Sequence, residues 1–285
     1  MGDSRNRDNL RGYPNNPYKL TRQTMKHGTK VLALAMLATT AMTAMTGCSD
    51  DTTTSTSKAE TVSGPTMTVG KGTAHSWVKL DDAGNPESIG VSLNDSALAG
   101  LSTNPFPPQM FNIPLPAKAS ATAFDHISLD WNAMGHEPAG IYTLPHFDIH
   151  FYMIDTLTQY SISPLDSTAG RAMPDTTVIP TGYFTPGPGD IVPAMGIHYV
   201  DATSHELHGA TFDQTLIYGF WKGKMIFVEP MITKAYLESK QTLAADLKLP
   251  VTYPTAGRYY PTKYKITYNA TTGEHVISLE GMVKR

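Results

Sequence analysis

Proline and glycine punctuate nearly the whole of this chain, with 21 Pro and 23 Gly spread over 285 residues in no three-residue period. Each proline inside a helix removes a hydrogen bond and clashes with the preceding turn, so long helices have little room here. The missing period excludes a collagen-like triple helix. A hydrophobic share of 40% is enough for a core, while 16% charged residues falls below the ~25% of ordinary soluble domains. Disordered and coiled-coil chains are thereby excluded. The expected fold is mainly β, an antiparallel barrel-like or sandwich domain with long Pro/Gly-rich loops and one helix in the C-terminal half.

The N-terminal region reads as export machinery. Lys26 and Lys30 precede an apolar run from Val31 to Met45, followed by Thr46-Gly47-Cys48. A basic start, a short apolar stretch and small residues before a cut site make a secretory signal. The run is shorter than the ~20 residues that span a bilayer. Cys48 is the only cysteine, so it has no disulfide partner in the chain. Directly after the cut it is the expected lipidation site of a bacterial lipoprotein. The polar stretch 1–24 is unlike a signal's front end, and Met25 is the expected start. Residues 1–47 are thus read as the signal with its extension. Residues 48–65 form a Ser/Thr-rich tether, and 66–285 one β-rich domain. Ser49, in place of an aspartate after the cysteine, directs the expectation to the outer membrane, facing the periplasm. Beyond residue 47 the chain holds 15 Lys and Arg against 23 Asp and Glu, a net charge of −8. That acidic body excludes nucleic acid as a partner.

Within the domain, Thr66–Val78 and Ile89–Leu93 read as strands around a turn at 81–86, Phe124–Trp131 as another, and Ile141–Ile154 as the most strand-like segment. Two apolar runs, Thr215–Trp221 and Lys224–Ile232, flank Lys222-Gly223, the mark of a tight hairpin. Regular pairing would set Phe220 against Met225, Tyr218 against Phe227 and Leu216 against Glu229. Thr233 is placed to cap a helix running to about Leu247. Lys263–Tyr268 and Glu274–Met282 complete the chain as a second hairpin.

The histidines carry the chemistry. In Pro145-His146-Phe147-Asp148-Ile149-His150-Phe151-Tyr152, strand alternation puts His146, Asp148 and His150 on one side and Phe147, Ile149 and Phe151 on the other. Polar ligand types backed by an apolar face suit a metal on a rigid sheet. His198, in Met195-Gly196-Ile197-His198-Tyr199-Val200-Asp201, and Glu229, in the hairpin, extend the set. A carboxylate at Glu229 would be partly buried and needs a partner. The predicted ligands are His146, His150, His198 and Glu229, around one divalent transition metal: zinc first, iron or manganese as alternatives. Asp148 is the candidate to orient a ligand or to act as general base. His136 in Gly135-His136-Glu137-Pro138 reaches the site from its loop or caps a turn. Ser204-His205-Glu206-Leu207-His208 lacks the four-residue histidine spacing of a zinc-protease helix and reads as a polar turn. Walker, dinucleotide and serine-elbow motifs do not occur.

Three stretches together resemble a bacterial family of unknown function typified by a sigma-E/anti-sigma-E-regulated protein of a thermophile. They are Pro145–Tyr152, Met195–Asp201 and the hairpin Leu216–Thr233, led in by Gly135–Tyr142. The likeness spans about residues 125–240. It implies a secreted, largely β domain that self-associates as a homo-oligomer, and it implies no activity.

Two functional readings follow. In the first, a metal with an open position activates water or polarises a carbonyl or enol of a small-molecule substrate. In the second, the chain is a non-catalytic envelope stress, binding or assembly protein whose histidines are structural. Both place it in the cell envelope, held to the membrane by its lipid.

Overall fold

The computed structural model describes residues 58–104 and 108–285. Lys26 to Met45, Cys48 and most of the tether lie outside the described residues. The first strand, β1, covers Glu60–Val69, so strand structure starts ahead of the expected boundary at Thr66. It turns at Gly70-Lys71 into β2 (Gly72–Leu80) and β3 (Pro86–Asn94) follows. The single strand expected over Thr66–Val78 is therefore the two arms of a hairpin. Next come β4 (Gln109–Pro114), β5 (His126–Asn132), β6 (His146–Tyr152), helix α1 (Thr156–Ser161), β7 (Tyr183–Phe184) and β8 (Ile197–Asp201). After β9 (Gln214–Trp221) and β10 (Lys224–Thr233) lie helix α2 (Lys234–Glu238) and β11 (Leu243–Asp246). The C-terminal elements are β12 (Tyr259–Tyr260), β13 (Lys263–Asn269), β14 (Glu274–Glu280) and β15 (Val283–Lys284).

Thirteen of these strands make two antiparallel sheets, in the orders β1-β2-β3-β14-β13-β11 and β4-β5-β6-β10-β9-β8-β7, and β12 pairs with β15 in a small sheet of two. Together the two larger sheets form a sandwich rather than a closed barrel. Ile127, Leu129 and Trp131 of β5 pair with Phe151, Ile149 and Phe147 of β6. They share one buried cluster with Val78, Ile89, Val91, Leu93, Ile277 and Leu279 of the other sheet. That is the core between the sheets, and interdigitated inner faces are what holds a sandwich together. Phe147, Ile149 and Phe151 are wholly buried, so truncating any one removes several contacts at once.

Two local expectations need correction. Lys222 (φ 52°) and Gly223 (φ 72°) do form a two-residue hairpin turn with both residues left-handed. Beyond Met225, however, an extra residue enters β10, and Phe227 faces Gly219, Val228 faces Tyr218 and Glu229 faces Ile217. A one-residue bulge of this kind shifts every later partner. Thr233 does cap a helix, its hydroxyl accepting from the Tyr236 amide at 3.1 Å. That helix ends at Glu238 instead of near Leu247. Lys240 turns left-handed at φ 57°, and Leu243–Asp246 becomes the edge strand beside β13. Leu243, Ala245 and Leu247 also fit a period of two, and a free sheet edge to pair with decides a short ambiguous run.

Candidate metal centre

The face of the second sheet turned away from the sandwich core is polar and yet buried. The β5–β6 register sets His126, Ser128, Asp130 and Asn132 opposite Tyr152, His150, Asp148 and His146. On the far side of β6, Phe227 pairs with Tyr152, Met231 with Asp148 and Thr233 with His146, a constant register that brings Glu229 opposite His150. Gly219 pairs with both Phe227 of β10 and His198 of β8, which completes the row. Every residue of β5 and β6 is buried. A second apolar cluster (Tyr142, Val200, Phe212, Ile217 and Met231) packs on this side. The sheet is therefore sandwiched twice, by its partner sheet and by loops.

Two groups of ligand-type side chains stand on that face. His150, His198 and Glu229 form one, His136, His146 and Asp148 the other, with the donor atoms of each group within 4.8 Å of one another. In the first, Glu229 Oε1 lies 3.5 Å from His150 Nε2 and Oε2 lies 3.8 Å from His198 Nε2. These spacings are at or past the limit of a hydrogen bond. They are close to the roughly 3.4 Å edge of a tetrahedron whose metal–ligand bonds are about 2.0–2.2 Å. His150 Nε2 and Glu229 Oε2 are buried without a hydrogen-bond partner. No lysine or arginine is buried among the described residues, so a side-chain cation other than histidine is not at hand for Glu229. The His198 side chain is 23% exposed against 0% for His150 and 2% for Glu229. The group thus opens to solvent on one edge.

His150 is held from behind. Its Nδ1 lies 3.2 Å from Asp130 Oδ2, and Asp130 Oδ1 accepts from the Ser128 hydroxyl at 2.6 Å. The contact is close but not aligned as a hydrogen bond, and both atoms count as unpartnered. A carboxylate behind one ring nitrogen favours the N–H there and leaves the other nitrogen free to ligate. Phe227 fits into the space that Gly219 leaves: a Cβ on Gly219 would sit 2.0 Å from its ring. The ring lies 4.7 Å from His150 and 5.4 Å from His198, centre to centre.

Burial dominates the electrostatics. It pushes the Glu229 carboxyl up to about 8, against the lowering pull of His150. Burial lowers His150, but the charges of Glu229 and Asp130 and the proximity of Asp130 outweigh it and push the imidazole up to about 9. His198, partly exposed, is pushed down to about 3 by the water it loses on this face and then by the charge of His150.

Of the four predicted ligands, His150, His198 and Glu229 stand together, while His146 stands with His136 and Asp148. Four strand residues at ~3.4 Å each separate His146 and His150 by about 13 Å along β6, too far to converge on one ion from parallel positions. Asp148 sits between His146 Nε2 at 3.0 Å and His136 Nε2 at 3.2 Å. Although burial raises its pKa, these histidines hold it far below the usual carboxylate range. A carboxylate so weakly basic is a fixed anion at neutral pH and a poor proton acceptor. Asp130 was not singled out in the sequence, although Ile127-Ser128-Leu129-Asp130-Trp131-Asn132 carries the same alternation as β6. His205–His208 is a single 3₁₀ turn ended by Gly209, the polar turn expected there.

Comparison with known proteins comes down to one stretch. Residues 81–131 match the family TTHB210-like, described as hypothetical protein TTHB210. The match runs from the turn before β3 through β5 and covers well under half of the chain. It supports a domain-of-unknown-function family. It overlaps the resemblance noted above only at the start of that span, and it includes Ser128 and Asp130 but none of the six clustered residues. No curated protein and no solved structure matches.

Proposed function

We propose that this protein is a lipid-anchored envelope protein that binds a divalent transition metal, zinc first, through His150, His198 and Glu229. The observation that carries the reading is the pair of Glu229 oxygens, buried and each facing an imidazole nitrogen at a ligand-edge spacing rather than a hydrogen-bond one. Three protein ligands and one solvent-facing edge leave a coordination position for water or substrate, the arrangement of metal sites that do chemistry rather than only structure. A metal there would lower the pKa of bound water or polarise a carbonyl oxygen. The anchor rests on Lys26, Lys30, the Val31–Met45 run and Cys48. Labelled fatty acid incorporated by the cell should appear on the wild type and be absent from Cys48→Ser.

The metal reading is tested by titrating chelator-stripped full-length chain, in detergent, with cobalt and following its visible absorption. A ligand-field spectrum that saturates stoichiometrically and loses intensity in His198→Ala and Glu229→Gln supports the site. Identical spectra in wild type and both variants contradict it.

A further inference from the structure

We infer that the same sheet face holds a second divalent transition-metal site, built from His136, His146 and Asp148. This extends the metal reading above to a second ion, with no ligand in common. The arrangement of the two imidazoles fixes their chemistry. His146 Nδ1 lies 2.6 Å from the Leu144 carbonyl oxygen, and His136 Nδ1 lies 2.6 Å from that of Glu137. A carbonyl oxygen only accepts, so both Nδ1 atoms carry hydrogens, and each ring turns Nε2 toward Asp148.

Asp148 meets them with one oxygen each: Oδ1 at 3.0 Å from His146 Nε2 and Oδ2 at 3.2 Å from His136 Nε2, the latter oxygen also accepting from Asn132 at 2.8 Å. His146 Nε2 and Asp148 Oδ1 are buried and have no hydrogen-bond partner despite their closeness. His136 Nε2, by contrast, is hydrogen-bonded to Asp148 Oδ2, so the unmet demand sits at His146 Nε2 and Asp148 Oδ1. A divalent ion bound by both nitrogens and the carboxylate would give these buried atoms a partner. At 3.0 and 3.2 Å the spacings are shorter than a tetrahedral edge and correspond to ligands about 90–100° apart around a metal at about 2.0–2.2 Å.

The rings are held in place. His146 meets His136 at 4.8 Å and Phe212 at 5.3 Å, each edge-on. His136 comes from the connection between β5 and β6, closed by its amide donating to the Tyr142 carbonyl at 2.9 Å. With a side chain 38% exposed, it is the ligand through which an ion enters. The second site is accordingly the more exchangeable of the two.

Equilibrium dialysis of the chelator-stripped full-length chain against zinc, followed by elemental analysis, tests this directly. The expected content is two ions per chain for the wild type, one for His136→Ala and one for His198→Ala. The His136→Ala, His198→Ala double variant should hold none. His136 is partly exposed and on a loop, so its loss leaves the sandwich folded, which circular dichroism checks. A wild type with one ion that His198→Ala removes and His136→Ala does not would overturn the second site and leave the first standing. One ion removed by His136→Ala alone would support the second site and overturn the first. No zinc in the wild type would overturn both.

Discussion

Glu229 concentrates the electrostatic demand of the described residues: a carboxylate at 1% exposure with two imidazoles and, among those residues, no buried lysine or arginine to balance it. Without metal, the raised values of Glu229 and His150 mean that the group retains protons at neutral pH. A metal must displace them, because ligation requires the deprotonated forms. Affinity should therefore rise with pH, about tenfold per unit for each proton released, and level off above the values of about 8 and 9 at Glu229 and His150. Zinc dissociation constants measured from pH 6 to 9 check this, and a flat profile would show that no proton leaves. Asp130 acts through His150. Asp130→Asn should weaken zinc binding by about 10–100-fold, the usual effect of losing a ligand's supporting partner, with the far-ultraviolet spectrum unchanged.

At the scale of elements, β9 and β10 set the site through a bulge and a glycine. Phe227 needs the absent side chain of Gly219, so Gly219→Ala forces the ring toward His150 and His198. The expected cost is about 1–3 kcal/mol, as for other overpacked positions, with weakened metal binding. A urea midpoint equal to wild type would contradict that account. On the opposite face of β6, Phe151→Ala should cost about 3–5 kcal/mol while leaving the ligands in place, so urea and metal titrations separate the two faces. This strand was readable in advance because its period of two is unbroken and both faces are chemically distinct. The β10 bulge was not, since one extra residue leaves composition and pattern unchanged while it moves Glu229 from Leu216 to Ile217. The helix predicted to Leu247 misread a run whose apolar residues fit both periods. The separation of His146 from His150 was implicit in strand rise. Its partner His136 comes from a loop whose path depends on contacts distant in sequence.

In the molecule as a whole, the candidate site occupies the outer face of a sheet whose inner face makes the main core. That pairing order, with β14 between β3 and β13 and β10 between β6 and β9, comes from long-range contacts that local pattern does not encode. The layout implies that the sandwich keeps its fold without metal and gains stability with it. At free zinc about 100-fold above the dissociation constant, one site should add about 2.7 kcal/mol. For a domain of this size that is roughly 5–10 °C in Tm, lost on adding a chelator while the strand signal persists. The most direct measurement of the central claim is elemental analysis of the full-length chain, purified in detergent without a histidine tag or chelator. The account predicts bound zinc or another divalent transition metal, with one ion per chain lost in the His150→Ala, His198→Ala double variant. No retained metal and no gain in Tm from any divalent ion added would contradict it.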